Sequence, residues 1–202
     1  MELYFFLAII SLTQLCGAQN TTDSIDYSTI DDNPELNEIP VGCNTVNENP
    51  PSYQWKKILW PTRSLPSDVV LGGIDSPHLC GKVYVGRAWY NENLLPAKVC
   101  GSDGRAFVSY NDTEVMLNES EVLCTQHAIW KPIKETRIPT SAFPVGNTEN
   151  GEKLFMGRWF VDLRLTPGKV EANSKILQMT YDQRVYRSNQ YEILVLKSGN
   201  DL

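Results

Sequence analysis

The chain carries one pattern of residues twice, and matching positions are separated by a constant 71 residues. The first copy runs without a gap over residues 83–124 and the second over residues 154–195. Each copy has a Gly-Arg strand, a proline corner followed by lysine, a tyrosine and a closing Glu-Val-Leu or Glu-Ile-Leu segment. A single copy of about 65 residues holds too few strands to close its own core. The two copies are therefore expected to pack face to face.

Short apolar and β-branched runs bounded by Gly and Asn predict strands at matching places in the two copies. They lie at 82–89, 95–100, 105–110 and 120–124, and again at 153–161, 166–171, 176–181 and 191–196. No segment keeps a helical period over two turns. Turn signals recur about every ten residues, and such short loops cannot carry a parallel crossover. The sequence predicts an all-β fold in which two tandem antiparallel repeats form one pseudo-symmetric domain.

The first eighteen residues are interpreted as a signal peptide. Residues 3–15 form an apolar run of the right length, and Cys16-Gly17-Ala18 is a small-residue cleavage pattern. A buried strand or helix is the alternative. A signal peptide implies a secreted, extracellular protein, and no other apolar run is long enough to span a membrane.

The acidic charge of the chain precedes the repeats. Residues 1–42 hold seven acidic residues and no Lys or Arg, which leaves 17 acidic and 18 basic residues elsewhere. Polar, acidic residues 19–52 are expected to form a disordered leader, because they cannot bury enough apolar surface to order themselves. The first β repeat is placed at 53–128 and the second at 129–202. The nearly neutral repeats offer no basic surface for nucleic acid.

The cysteines predict disulfides. Without the signal peptide four remain, which allows two bridges in three pairings among Cys43, Cys80, Cys100 and Cys124. Their spacings of 37, 20 and 24 residues do not favour the alternative of a zinc site. Three Asn-x-Ser/Thr triplets are candidate glycosylation sites, at Asn20, Asn111 and Asn118.

Catalytic residues are scarce in this sequence. Its two histidines, His78 and His127, lie in no nucleophile motif and no metal-ligand pair. No glycine-rich phosphate loop is present either. We therefore expect a protein that is not an enzyme and that needs neither a metal nor a cofactor.

Two repeated lysines are the candidate ligand-binding residues. Lys98 and Lys169 each follow a proline corner, and a glycine turn precedes each of them, with Asp75 in the first copy. An ammonium group donates hydrogen bonds and a carboxylate accepts them, so together they complement the adjacent hydroxyls of a sugar. A weak surface ion pair is the alternative interpretation.

Two further charged positions recur and are interpreted as structural. Arg87 and Arg158 follow glycine in a strand, and Glu121 and Glu192 lie in the closing strand. Each Arg–Glu pair is predicted to be buried or half-buried and to clamp one strand to another.

One set of motifs occurs twice in the same order. The first copy presents Trp60, Gly73-Ile74-Asp75, Tyr84-Val85-Gly86-Arg87, Pro96-Ala97-Lys98, Tyr110 and Ser120-Glu121-Val122-Leu123. The second presents Trp130, Gly146-Asn147-Thr148, Phe155-Met156-Gly157-Arg158, Pro167-Gly168-Lys169, Tyr181 and Tyr191-Glu192-Ile193-Leu194. This ordered set resembles the DM-nine repeat family over about residues 58–197.

The resemblance implies a lectin-like protein that binds mannose-type glycans through the Asp of G-x-D and the Lys of P-G-K. Carried onto this sequence, those residues are Asp75 and Lys98. The second copy has Thr148 in place of the aspartate, so only Lys169 remains there, with Glu149 as a possible substitute. The expected function is a secreted mannose-type carbohydrate-binding protein, used in innate immune recognition and paired as a homodimer. The alternative is a secreted structural or interaction protein with a degenerate, non-binding sugar site.

Overall fold

A computed structural model describes residues 52–133 and 137–197. The predicted signal peptide and almost all of the acidic leader, with Asn20 and Cys43, lie outside the described residues. The first repeat forms β1 (Gln54–Leu59), β2 (Leu71–Ile74), β3 (Lys82–Tyr90), β4 (Asn93–Cys100), β5 (Ala106–Tyr110), β6 (Thr113–Leu117) and β7 (Glu119–Cys124). The second forms β8 (Ala128–Pro132), β9 (Pro144–Asn147), β10 (Lys153–Val161), β11 (Arg164–Glu171), β12 (Leu177–Tyr181), β13 (Arg184–Ser188) and β14 (Glu192–Leu196).

The predicted fold class is confirmed. All strand pairings are antiparallel, and the eight predicted strands are present with their ends shifted by two residues at most. Six strands were missed because they are short or lie on the exposed side of a hairpin. Within the described part of the chain there is no helix, and hence none long and apolar enough to cross a bilayer.

The repeats are joined through hydrogen-bonded strands as well as through side-chain packing. Strand β2 of the first repeat pairs with β11 of the second, and β9 of the second pairs with β4 of the first. Since β3 pairs with both β2 and β4, and β10 with both β9 and β11, six strands close on themselves. Each repeat supplies three strands of this ring, which explains why neither copy could close a core alone.

Glycine permits the two strand pairings between the repeats, β2 with β11 and β9 with β4. A Cβ on Gly73 in β2 would collide with the backbone carbonyl of Leu165, and a Cβ on Gly146 in β9 would collide with that of Leu94. The paired glycines at the start of the two G-x-D or G-x-T turns therefore serve the joining of the repeats.

The apolar core has a part in each repeat and a shared part between them. Val99, Val108 and Val122 belong to the first part, and Val170, Met179 and Ile193 to the second. The shared cluster includes Val85 and Leu123 from the first repeat with Met156 and Leu194 from the second. All four side chains are fully buried.

Both predicted Arg–Glu clamps are confirmed. Arg87 pairs with Glu121 between β3 and β7, and Arg158 pairs with Glu192 between β10 and β14, each with 2.7 Å between Nε and Oε2. Each guanidinium also lies over an indole ring.

Those indoles correct the sequence interpretation. The rings belong to Trp55 on β1 and Trp130 on β8, which pair with matching positions of β7 and β14. The counterpart of Trp130 is therefore Trp55, and the assignment to Trp60 was wrong. The spacing misled because Trp55 precedes Arg87 by 32 residues, whereas Trp130 precedes Arg158 by 28, close to the 27 residues between Trp60 and Arg87.

One disulfide is present in the described structure, between Cys80 and Cys100. It is one of the pairs that the sequence allowed, and it lies in the first repeat. Cys124 carries a buried thiol, and burial raises the pKa of that thiol to about 11. Among the described residues Cys124 thus forms no bridge.

Candidate functional site

Lys98 is held by groups from both repeats. It projects from β4, where its ammonium donates to the backbone carbonyl of Thr180 on β12 at 2.7 Å. The carboxylate of Glu114 on β6 lies 3.6 Å from the same nitrogen. Burial lowers the pKa of Lys98, while Glu114 and then Asp75 act to raise it. The Lys98 ammonium lies 5.9 Å from the centre of the Tyr181 ring, which Arg164, the ion-pair partner of Asp75, also contacts, so the two predicted ligand residues of this copy share one cluster.

A second cation covers Asp75. Arg164, at the start of β11, places its Nε 3.5 Å from the Asp75 carboxylate and its guanidinium carbon 5.0 Å from the centre of the Tyr181 ring. Asp75 is 9% exposed and Lys98 is 5% exposed. The polar atoms that would bind a sugar in this cluster are therefore already paired within the protein. We call the set Asp75, Lys98, Glu114 and Arg164 the Lys98 cluster.

The disulfide holds the loop that carries Asp75. The Asp75 amide donates to the Gly81 carbonyl at 2.7 Å, and its carboxylate accepts from the Ser76 amide. Cys80 ties this loop to Cys100 at the end of β4, two residues beyond Lys98. The bridge therefore fixes the carboxylate and the lysine relative to each other.

The second copy pairs its lysine differently. Lys169 on β11 lies 2.8 Å from the carboxylate of Glu171, two residues further on the same strand. Lys169 is 8% exposed, but the Glu171 side chain is 27% exposed and faces an open space. Glu171 stands at the position of Cys100 in the repeat. One copy uses this position for a disulfide and the other for a carboxylate.

This open space is a cleft of about 340 Å³, which we call the Lys169 cleft. Most of its lining can donate or accept hydrogen bonds, and Tyr110 adds an aromatic ring. It is lined by Asn93, Leu95, Tyr110, Asn111, Asp112, Thr148, Lys169, Glu171 and Gln178. Donors, acceptors and an aromatic face in one concave surface can hold a polyhydroxylated ring.

Each site receives one residue of the matching strand position from the opposite repeat. Asn93 stands at the repeat position of Arg164. Its amide oxygen accepts from the Glu149 amide at 3.0 Å, and its amide nitrogen donates to the Asn91 carbonyl. The short Asn93 side chain lines the Lys169 cleft, where Glu171 is partly exposed and Lys169 lies buried beside it, whereas the long guanidinium of Arg164 reaches across to Asp75.

Sequence reasoning missed three charged members of these sites. Glu114 and Arg164 are remote in sequence from the lysine or aspartate that they contact, so no local pattern indicated them. Glu171 could have been found, because alternate residues of a strand share a face and it follows Lys169 by two. Glu149, the acidic residue proposed as a substitute for aspartate, instead lines a neighbouring surface with Glu152 and Asn173.

A family model described as the DM9 repeat matches residues 80–188, just over half of the sequence, and the chain belongs to this family. Among solved structures, the crystal structure of the nematode sperm cell motility protein MFP2B is similar, with a TM-score of 0.57 and 12% identity. The match covers 74% of this chain and 48% of MFP2B, so this chain spans about half the length of that protein. At this identity the likeness shows the fold alone. No curated protein matches the chain. Membership of this family supports a lectin-like or interaction protein in general terms.

Proposed function

We propose that this protein is an exported lectin-like protein that binds mannose-type glycans in the Lys169 cleft. The observation that carries the proposal is the Lys169–Glu171 pair, whose 2.8 Å contact places a donor beside a partly exposed acceptor at the cleft wall. Adjacent sugar hydroxyls can accept from the ammonium and donate to the carboxylate.

The Lys98 cluster is the weaker candidate of the two, although the family resemblance points to Asp75 and Lys98. A sugar there would have to displace Arg164 from Asp75 and compete with Glu114 and the Thr180 carbonyl for Lys98. The Lys98–Thr180 contact is a charged hydrogen bond, whose displacement opposes binding by about 1.5–3 kcal/mol, and the ion pairs of Asp75 and of Glu114 would also have to separate. The open cleft requires no such exchange.

Binding of one monosaccharide is expected to be weak. Two charged hydrogen bonds contribute about 3–6 kcal/mol together, which corresponds to millimolar affinity once the loss of motional freedom is included. A homodimer that presents two Lys169 clefts to a microbial surface would gain avidity without new contacts. Use in innate immune recognition and export from the cell are parts of this proposal. The Cys80–Cys100 bridge supports export, because disulfides persist in oxidising compartments.

The test is a titration of the purified, secreted protein with mannose-rich glycans, followed by the same titration of single variants. Lys169→Met and Glu171→Gln should each weaken binding about tenfold, the effect of losing one charged hydrogen bond. The control is Lys57→Met, which removes an exposed lysine that pairs with Glu119 away from both sites. If wild type binds the glycans and both Lys169→Met and Glu171→Gln bind them with the same affinity, the assignment to the Lys169 cleft is contradicted.

A protein-interaction role is the second candidate, favoured by the internally paired groups of the Lys98 cluster. A glycan array separates the two functions. If the folded wild-type protein retains no glycan on the array, the interaction role stands and the lectin proposal fails.

A further inference from the structure

We propose that Asn111 carries an N-linked glycan, and that this attached glycan covers the mouth of the Lys169 cleft and limits its access to outside sugars. The inference rests on the proposed function, because it names the regulation of that same cleft. It concerns a covalent modification at the rim of the Lys169 cleft, made on the protein before any outside ligand binds.

The position of Asn111 is the first observation. Asn111-Asp112-Thr113 is an Asn-x-Thr triplet, and its first two residues form the two-residue turn between β5 and β6. Both have positive φ, 45° and 60°, as in a type I′ hairpin turn. Asn111 is exposed, as a glycosylated asparagine must be, and it lines the same cleft as Lys169.

The turn is also held in place. The Thr113 hydroxyl donates to the Tyr110 carbonyl at 2.8 Å, and the Asp112 carboxylate pairs with Arg187 of the second repeat. The Tyr110 ring packs edge-on against Tyr90, with 5.1 Å between the ring centres. A glycan rooted at Asn111 therefore begins at a fixed point on the cleft rim.

The two repeats differ at this turn. The matching turn of the second repeat is Asp182-Gln183, which has no asparagine and no triplet. The other described triplet begins at Asn118, which is exposed and is not among the residues that line the Lys169 cleft. A glycan is thus placed beside the open cleft, while the closed Lys98 cluster has no triplet at its matching turn.

The covalent step is transfer from a lipid-pyrophosphate-linked oligosaccharide of the export pathway. A bond forms between the Asn111 amide nitrogen and C1 of the first sugar, and the bond from C1 to the pyrophosphate oxygen breaks. The lipid pyrophosphate leaves, and the amide nitrogen loses one proton. No oxidant or reductant takes part.

The experiment compares two variants expressed in a glycosylating host. Thr113→Ala removes the triplet but keeps the Asn111 side chain in the cleft. Ser120→Ala removes the Asn118 triplet and is the matched control. The Ser120 hydroxyl is buried and has no hydrogen-bond partner among the described residues, so its loss should leave the fold unchanged. Mass spectrometry of glycopeptides measures occupancy at each asparagine.

Two readouts are taken on each protein. If the attached glycan leaves the cleft open a tenth of the time, Thr113→Ala should bind mannose-rich glycans about tenfold more tightly than wild type. Enzymatic removal of the glycan from wild type should have the same effect, and Ser120→Ala should have none. Independently of any sugar ligand, carbodiimide labelling of the partly exposed Glu171 carboxylate should be several-fold faster in Thr113→Ala, with exposed Glu119 as the internal reference.

The outcomes separate this inference from the proposed function. Faster Glu171 labelling in a Thr113→Ala protein that binds no added glycan would support the glycan cover and overturn the lectin proposal. Equal Glu171 labelling in wild type and Thr113→Ala, or an Asn111 that carries no attached glycan in the secreted protein, would overturn the inference whatever the sugar binding.

Discussion

The Lys98 cluster and the Lys169 cleft occupy matching places in two copies of one motif, yet one is closed and the other is open. In the first, the lysine contacts a carbonyl and a carboxylate from two neighbouring hairpins, and Arg164 covers Asp75. In the second, the lysine pairs with Glu171 on its own strand, and Asn93 stands where the arginine would be.

The difference shows that keeping both residues of a motif does not by itself leave them free to bind a ligand. The first copy keeps both motif residues and uses them for internal pairing. The second has lost the aspartate, but it gains a carboxylate two residues after the lysine and a cleft beside it. The chemistry of a site depends on what covers it as well as on which residues form it.

The largest expected effect comes from removing the lysine of the closed cluster. Lys98→Met should lower the free energy of unfolding by about 3 kcal/mol, because it leaves the Glu114 carboxylate buried without its cation. Lys169→Met should cost about 1 kcal/mol, because Glu171 can be solvated. Urea denaturation measures both, and equal losses would remove the distinction between the two sites.

The disulfide should stabilise the first site selectively. Replacing Cys80 and Cys100 with serine should lower the free energy of unfolding by about 3 kcal/mol, as expected for a closed loop of this length. Amide hydrogen exchange should become faster in the loop of Asp75. It should stay unchanged in the loop of Thr148, which is held by a hydrogen bond from the Thr148 amide to the Glu152 carbonyl. A uniform rise in both loops would contradict a local role for the bridge.

Uncovering the closed cluster should create a second binding site. Arg164→Asn gives the first site the asparagine that Asn93 supplies at the matching position of the second site. The change should alter the free energy of unfolding by less than about 1 kcal/mol, since Arg164 is partly exposed. Calorimetric titration with glycan should then detect an additional class of site absent from wild type. Binding identical to wild type in the folded variant would show that Asp75 and Lys98 do not bind sugar even when uncovered.

The smallest expected effect is a dependence of stability on pH. Burial holds the pKa of Lys98 below the 10.5 of an ordinary lysine. Between the lowered value and 10.5 the unfolded chain binds more protons, so this group raises the free energy of unfolding as the pH increases through that window. The rise should be lost in Lys98→Met. The opposing effect of the Cys124 thiol, with its pKa raised to about 11, is common to both proteins and cancels in the comparison.

Local patterns predicted more of the fold than of the site. The eight predicted strands and both Arg–Glu clamps followed from alternation and from recurrence at a fixed offset. Trp55 was missed because its spacing differs between copies, and Glu171 was missed although it lies on the same strand face as Lys169. For Asp75, Lys98 and Lys169, sequence identified the residue types and the structure supplied their partners. Their role as ligand residues remains a prediction.

By itself the amino-acid sequence determined the duplication, the antiparallel strands and the placing of a lysine at each proline corner, because these depend on near neighbours along the chain. Tertiary structure alone decided that six strands from both repeats close into a ring and that Arg164 reaches Asp75. It also decided that Lys98 meets a carbonyl 82 residues away. Such contacts arise when strands are exchanged between repeats, and no periodicity within one repeat encodes which residues of the other will face it.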